Sequence, residues 1–184
     1  KRGDISPFLI MEALREANEH HALHGGDDMI HLSLGQPGKG IPRAAAEVAS
    51  DWVLRDRLPY TEASGTKELR QRISLYYQEN YGETVPYERI FITVGSSSAF
   101  FLSLLAAFDV GDRIALVQPC YPAYRNVTEA MSLEPVLLRG TFENNFQPSV
   151  EMLEALDKPV QGLIIASPSN PTGTMIADSE LERL

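Results

Sequence analysis

Three short stretches hold residue types that bind polar or planar ligands. In "TVGSSSAFF" an apolar run enters Gly95, then Ser96, Ser97 and Ser98, then an apolar helix pattern. The first turn of a helix has backbone N–H groups without intrahelical partners and a positive dipole end. Serine hydroxyls add donors, so Gly95–Ser96–Ser97 is built like a phosphate site. The plain alternative is that Ser96 or Ser97 only caps the helix. The spacing is neither the dinucleotide fingerprint nor a P-loop. In "QPCYPAY", Tyr121 follows an apolar run and stands between Pro119 and Pro122. A ring held there can cover the face of a planar ligand, or simply sit at the rim of the core. Cys120 reads as a small buried residue, with nothing nearby to make a thiolate.

The third stretch is "SPSNPTG". Asn170 offers an amide that donates and accepts. Ser167–Pro168 and Asn170–Pro171 are candidates for cis bonds. A turn of ordinary purpose seldom needs two prolines, although a plain turn before a helix stays open. Two further stretches are weaker. Gly35 in "LSLGQPGKG" marks a close backbone approach or only a turn, and Tyr60 in "LPYTEASGTKELR" lies in a loop. His20, His21, His24 and His31 lack the spacing of a metal site and read as solvated; no metal is expected.

The elements around these stretches explain their placement. "SPFLIMEALREANEH" carries apolar residues at helical spacing, with a start near Ser6–Pro7. "MIHLSLG" reads as a short strand or extended segment. "PRAAAEVASDWVLRD" and "TKELRQRISLYYQENYG" read as helices, the second capped by Ser64 or Thr66 and closed by Gly82. From there strands and helices alternate. "RIFITVG", "DRIALVQP", "EPVLLRG" and "GLIIAS" read as strands. "SSSAFFLSLLAAF" (a buried helix), "YPAYRNVTEAMSL" and "SVEMLEAL" lie between them. This alternation predicts an α/β fold, a mostly parallel sheet in a three-layer αβα arrangement. Ligands of such sheets bind beyond the carboxyl ends of the strands, where all three polar stretches fall.

Bulk properties narrow the partners. The 184 residues are 43% hydrophobic and 22% charged, with a net charge of −9 and pI near 4.9. Such an acidic chain is a poor match for nucleic acid. No apolar run is long enough to span a bilayer. The one cysteine excludes an internal disulfide and fits a reducing, cytoplasmic setting.

Taken in order, "LSLGQP", "YTEASGTKELR", "ITVGSSSAFFLSLLAAFDVGDRIALVQPCYPAY" and "SPSNPTG" resemble the N-terminal half of class I/II aminotransferases, pyridoxal-phosphate enzymes of the aspartate aminotransferase fold. The resemblance implies two regions. Residues 1–40 would be an N-terminal helix and substrate-side segment belonging to the small domain. Residues 41–184 would be an incomplete large, cofactor-binding domain. It implies pyridoxal 5′-phosphate held at Gly95, Ser96 and Ser97, stacked by Tyr121, and contacted at its ring hydroxyl by Asn170. It implies Tyr60 reaching the cofactor phosphate of a partner subunit in a homodimer, and Gly35 and Asn170 beside the substrate. The substrates would be an amino acid and a 2-oxo acid.

The resemblance also implies a Schiff-base lysine beyond "NPTG". The lysines here are Lys1, Lys39, Lys67 and Lys158, and none stands at that place. Catalytic residues are therefore expected outside the chain. "ADSELERL" reads as the start of a helix with a Ser179–Glu182 capping box, one turn before the last residue. The expectation is an inactive fragment of an aminotransferase. Two other readings stand beside it: a lyase or decarboxylase of the same fold, and the aminotransferase-like effector domain of a transcription regulator.

Overall fold

The computed structural model describes residues 9–25, 30, 32, 35, 38–55 and 58–184. These fall into two compact units, one within residues 13–99 and one of residues 9–12 with 100–184.

The second unit holds the sheet. Strands β1 (Arg113–Gln118), β2 (Glu134–Arg139) and β3 (Gly162–Ile164) run parallel in the order β2-β1-β3. Ala115 pairs with Val136 on one side and Leu163 on the other. Ile114, Ala115, Leu116 and Val117 of the central strand are all buried. Alternate side chains point to opposite faces, so β1 feeds two cores. Ile114 and Leu116 pack with Leu104 and Leu133, joined by Phe100, Phe108, Val127 and Ile164. Ala115 and Val117 pack with Leu138, joined by Met152, Leu153, Leu156 and Leu163. Helices α4 (Gly95–Ala107) and α5 (Pro122–Ala130) supply the first face and α6 (Val150–Glu154) the second. The three-layer αβα architecture read from the alternating pattern is therefore present. Gly162 is required on β3, because a Cβ there would stand 2.5 Å from Cζ of Phe108.

The amino end of the sheet is closed by Arg113. Its Nε donates to Glu134 (3.2 Å), Nη1 to the Lys158 carbonyl (2.6 Å) and Nη2 to Asp157 (3.2 Å). Its own backbone N–H donates to Oε1 of Gln161 (2.8 Å).

In the other unit lie α2 (Arg43–Arg55), α3 (Lys67–Tyr81) and most of α1 (Leu9–His24). Gly82 closes α3 in the left-handed conformation, at φ 71°. Thr66 occupies the N-cap position but its side chain makes no capping bond.

Three expectations change. Ile90–Val94 is not a strand: no ladder partner lies beside it among the described residues, and its backbone bonds run from Ile92 N–H to the Ser64 carbonyl (3.0 Å) and from the Ile90 N–H to the Tyr87 carbonyl (3.1 Å). A strand exists only through its partner's hydrogen bonds. The "SSSAFFLSLLAAF" helix forms, but it is not buried all round. Phe100, Leu104 and Phe108 turn one stripe to the core, while Phe101, Leu102 and Leu105 stay 43–59% exposed, because the sheet covers a single side. The capping box is absent: α7 (Asp178–Arg183) takes Ala177 as its N-cap, which places Ser179 inside the first turn. The Glu180 carboxylate instead accepts from the Val150 N–H (2.9 Å), tying α7 to α6. Pro42 stands near the first turn of α2, as expected, and its carbonyl accepts from Ala45 and Ala46. The starts of "SPFLIMEALREANEH" and most of "MIHLSLG" lie outside the described residues, as does His31.

No described helix is long and apolar enough to cross a membrane. Among the described residues no group of His, Cys, Asp and Glu could hold a metal ion. His20, His21 and His24 are exposed, with the rings of His20 and His24 stacked at 4.5 Å.

Candidate cofactor site

Two of the polar stretches follow adjacent parallel strands and therefore share the carboxyl end of the sheet. After β1 the chain passes a cis Gln118–Pro119 bond and reaches Tyr121 at the N-cap position of α5, with Pro122 in its first turn. The Tyr121 ring is half-buried and meets Tyr124 edge-on at 5.5 Å. Tyr124 in turn packs on Phe100 at 5.1 Å. Cys120 is half-buried, and burial raises its thiol above the ordinary range, which keeps it a protonated packing residue.

After β3 comes the "SPSNPTG" turn, with Ser167–Pro168 and Asn170–Pro171 both cis, as the sequence suggested. Ser169 N–H donates to the Thr174 carbonyl (2.9 Å) and Gly173 N–H to the Ser169 carbonyl (2.7 Å). Gly173 takes φ 69°, a conformation that favours glycine. The Thr172 and Thr174 hydroxyls meet at 2.8 Å, and Ser167 Oγ accepts from Ile176 N–H (3.1 Å). These bonds occupy the N–H groups of Ser169 and Gly173 and the hydroxyls of Ser167, Thr172 and Thr174. The Asn170 amide is exposed and makes no hydrogen bond among the described residues.

The third stretch lies in the unit of residues 13–99. Gly95, at φ 75°, opens α4, and Thr93 Oγ1 donates to its carbonyl (2.9 Å). Ser98 donates back to the Val94 carbonyl (2.9 Å), so its hydroxyl is used. The hydroxyls of Ser96 and Ser97 are exposed and make no hydrogen bond among the described residues. No acidic residue stands in this first turn. Free N–H groups, two free hydroxyls and the dipole end make this an anion-accepting donor set.

The loop with Tyr60 belongs to the same unit. Arg70 on α3 is 6% exposed; it donates to the Gly65 carbonyl (3.0 Å), pairs with Glu62 and lies 5.5 Å from the Tyr87 ring. Gly65, at φ 91°, leaves no room for a Cβ against Ile92. The loop is thereby clamped to the segment that leads into Gly95. Tyr60 at its edge is fully exposed. Gly35 is exposed and has open space around it.

Sequence reasoning passed over Arg70 and Gln147. Gln147, 4% exposed, donates to the Ala166 and Thr174 carbonyls at either side of the "SPSNPTG" turn. Glutamine in "NNFQPS" gives no sequence signal, since this residue type is mostly exposed. For Arg70 a faint signal existed: it follows Glu62 at a distance that only a folded-back loop can close.

A parallel αβα sheet with polar turns after its strands has the architecture of an α/β ligand-binding domain. Residues 27–184 match the family described as aminotransferase class I and II, and the chain belongs to that family. It is 41% identical over 180 residues to a valine–pyruvate aminotransferase of Mycobacterium tuberculosis, covering 98% of this chain and 46% of that protein. It is 33% identical over 173 residues to a (5-formylfuran-3-yl)methyl phosphate transaminase of Methanocaldococcus jannaschii, covering 94% and 44%. A solved aminotransferase structure from M. tuberculosis superposes with TM-score 0.92 at 40% identity, over 98% of this chain and 46% of that one. The chain thus spans just under half the length of these relatives.

Proposed function

We propose that this chain forms the cofactor-holding part of a pyridoxal-phosphate aminotransferase that moves an amino group between an amino acid and a 2-oxo acid. The observation that carries the proposal is the family match over residues 27–184, joined to two ligand-ready turns on neighbouring parallel strands.

The donor set fits the cofactor. Ser96, Ser97 and the first-turn N–H groups of α4 would take the phosphate, with Gly95 letting the backbone turn into the helix. Tyr121 would lie over the pyridine ring and fix its plane. The free amide of Asn170 would donate to the ring hydroxyl and bias its charge; it would also lie near the substrate carboxylate, with Gly35 packing on the substrate. When bound, the cofactor supplies an electron sink for the carbanion formed at the amino acid's α-carbon. The residues of this chain bind, orient and polarise; the lysine and acid–base work are assigned to residues outside the 184 described by the sequence. The exposed Tyr60 ring would reach the phosphate site of a second subunit, in a two-fold dimer. On this reading residues 1–40 serve the substrate side and 41–184 the cofactor side, in the cytoplasm.

The test is spectroscopic and chemical. The full-length protein, mixed with pyridoxal phosphate, should develop an absorbance band that borohydride fixes onto one lysine. It should then convert an amino acid and a 2-oxo acid into their exchanged partners. Valine with pyruvate is the first pair to assay, given the 41% identical relative. Absence of the band sinks the proposal; a band with decarboxylated or eliminated products moves the protein to another reaction of the same fold.

A further inference from the structure

The Asn170 side chain makes no hydrogen bond among the described residues, so its position depends on the frame of its turn. That frame is tied at both arms to one buried side chain. Gln147 lies in the connection between β2 and α6. Its Nε2 donates to the Ala166 carbonyl (3.2 Å), on the arm that leaves β3. The same nitrogen reaches the Thr174 carbonyl (2.9 Å) and Thr174 Oγ1 (3.3 Å), on the arm that leaves the turn. An amide nitrogen carries two hydrogens in a fixed plane, so one group spans both arms. A buried donor so placed is costly to lose, since its acceptors are left without partners.

The same connection also braces the neighbouring loop. Gly140 N–H donates to the Gln118 carbonyl (2.9 Å), just before the Pro119–Cys120–Tyr121 run. A Cβ at Gly140 would collide with that carbonyl oxygen. Gln147 shares the wall of a cavity of about 20 Å³ with Cys120 and Ser169, the chain neighbours of Tyr121 and Asn170. Asn144 holds the connection in shape, its Oδ1 accepting from the N–H groups of Thr141 (2.8 Å) and Phe146 (3.1 Å).

We infer that Gln147 is a positioning residue for Asn170: it sets the angle of the amide by holding both arms of the turn, without touching the ligand. The inference rests on the proposed contact between Asn170 and the cofactor ring. Its test uses the full-length holoenzyme and two readouts. Gln147→Met keeps the volume and removes the donor. Hydrogen exchange at the amides of Ser169 and Gly173 should quicken about tenfold, the loss of one such bond, while the β1 amides stay unchanged. The pH midpoint of the bound cofactor's absorbance should move in the direction seen for Asn170→Ala. The double variant should move no further than Asn170→Ala alone. Gln147→Asn, one methylene shorter, should give a smaller change in both readouts and serves if the methionine variant does not fold. A lowered Tm with wild-type exchange and midpoint overturns the inference alone. An unmoved midpoint in Asn170→Ala overturns the ring contact and the inference with it.

Discussion

The two ends of the sheet are built from opposite kinds of polar chemistry. At the amino end a charged side chain is spent on its neighbours: Arg113 satisfies two carboxylates and the carbonyls of Lys158 and Pro159. At the carboxyl end the holding is done by neutral groups acting on backbone, the buried Gln147 and the half-buried Gly140 among them. The Asn170 side chain is exposed and makes no hydrogen bond among the described residues. The contrast separates stability from recognition. A charge consumed internally cannot meet a ligand, whereas a backbone frame holds a side chain still and leaves its polar atoms free.

Substitutions sharpen that contrast. Leu116→Ala lies under both ends and should cost about 2–5 kcal/mol, measured by denaturant unfolding. Gly140→Ala must displace the Gln118 carbonyl and should cost about 1–3 kcal/mol. It should also weaken cofactor binding, because the shift passes into the Tyr121 loop. Arg113→Ala should cost about 1 kcal/mol, because its acceptors are exposed and water can replace the lost donor. Cofactor affinity should stay at the wild-type value. If Arg113→Ala weakened binding as much as Gly140→Ala, the division between the two ends would be broken.

The smallest effect belongs to a surface pair far from either role. Arg183 donates to Glu151, and this bond holds the Glu151 carboxyl down to about 2. A carboxyl lowered on folding adds stability that is full above the ordinary carboxylate range, near 4.5, and is lost as pH falls through about 2. Both groups are exposed, so salt screens most of the effect. Glu151→Gln should lower Tm slightly at pH 6 and by much less at pH 2, a difference that thermal scans at the two values would resolve.

Much of this was legible in the sequence, for physical reasons that differ by element. The strands β1, β2 and β3 announce themselves as apolar runs, because a strand buried on both faces has no polar register. "GSSS", "QPCYPAY" and "SPSNPTG" stand out because glycine, proline and serine are concentrated after apolar runs. Ile90–Val94 shares that apolar run yet forms no ladder, since strand identity depends on a neighbour and not on composition. The exposed stripe of α4 was hidden for a similar reason: an all-apolar helix does not say which side is covered. Gln147 was illegible because its value lies in distant backbone atoms, and Arg70 was nearly so because its partners lie in a folded-back loop.

The central proposal is that Ser97 and Asn170 would each donate a hydrogen bond to bound pyridoxal phosphate. The direct measurement is the dissociation constant of pyridoxal phosphate from the full-length protein, compared across wild type, Ser97→Ala and Asn170→Ala. Each substitution removes one donor to a charged or polarised oxygen, so each should weaken binding about tenfold, with unfolding stability unchanged. Equal affinity in all three proteins would contradict the account.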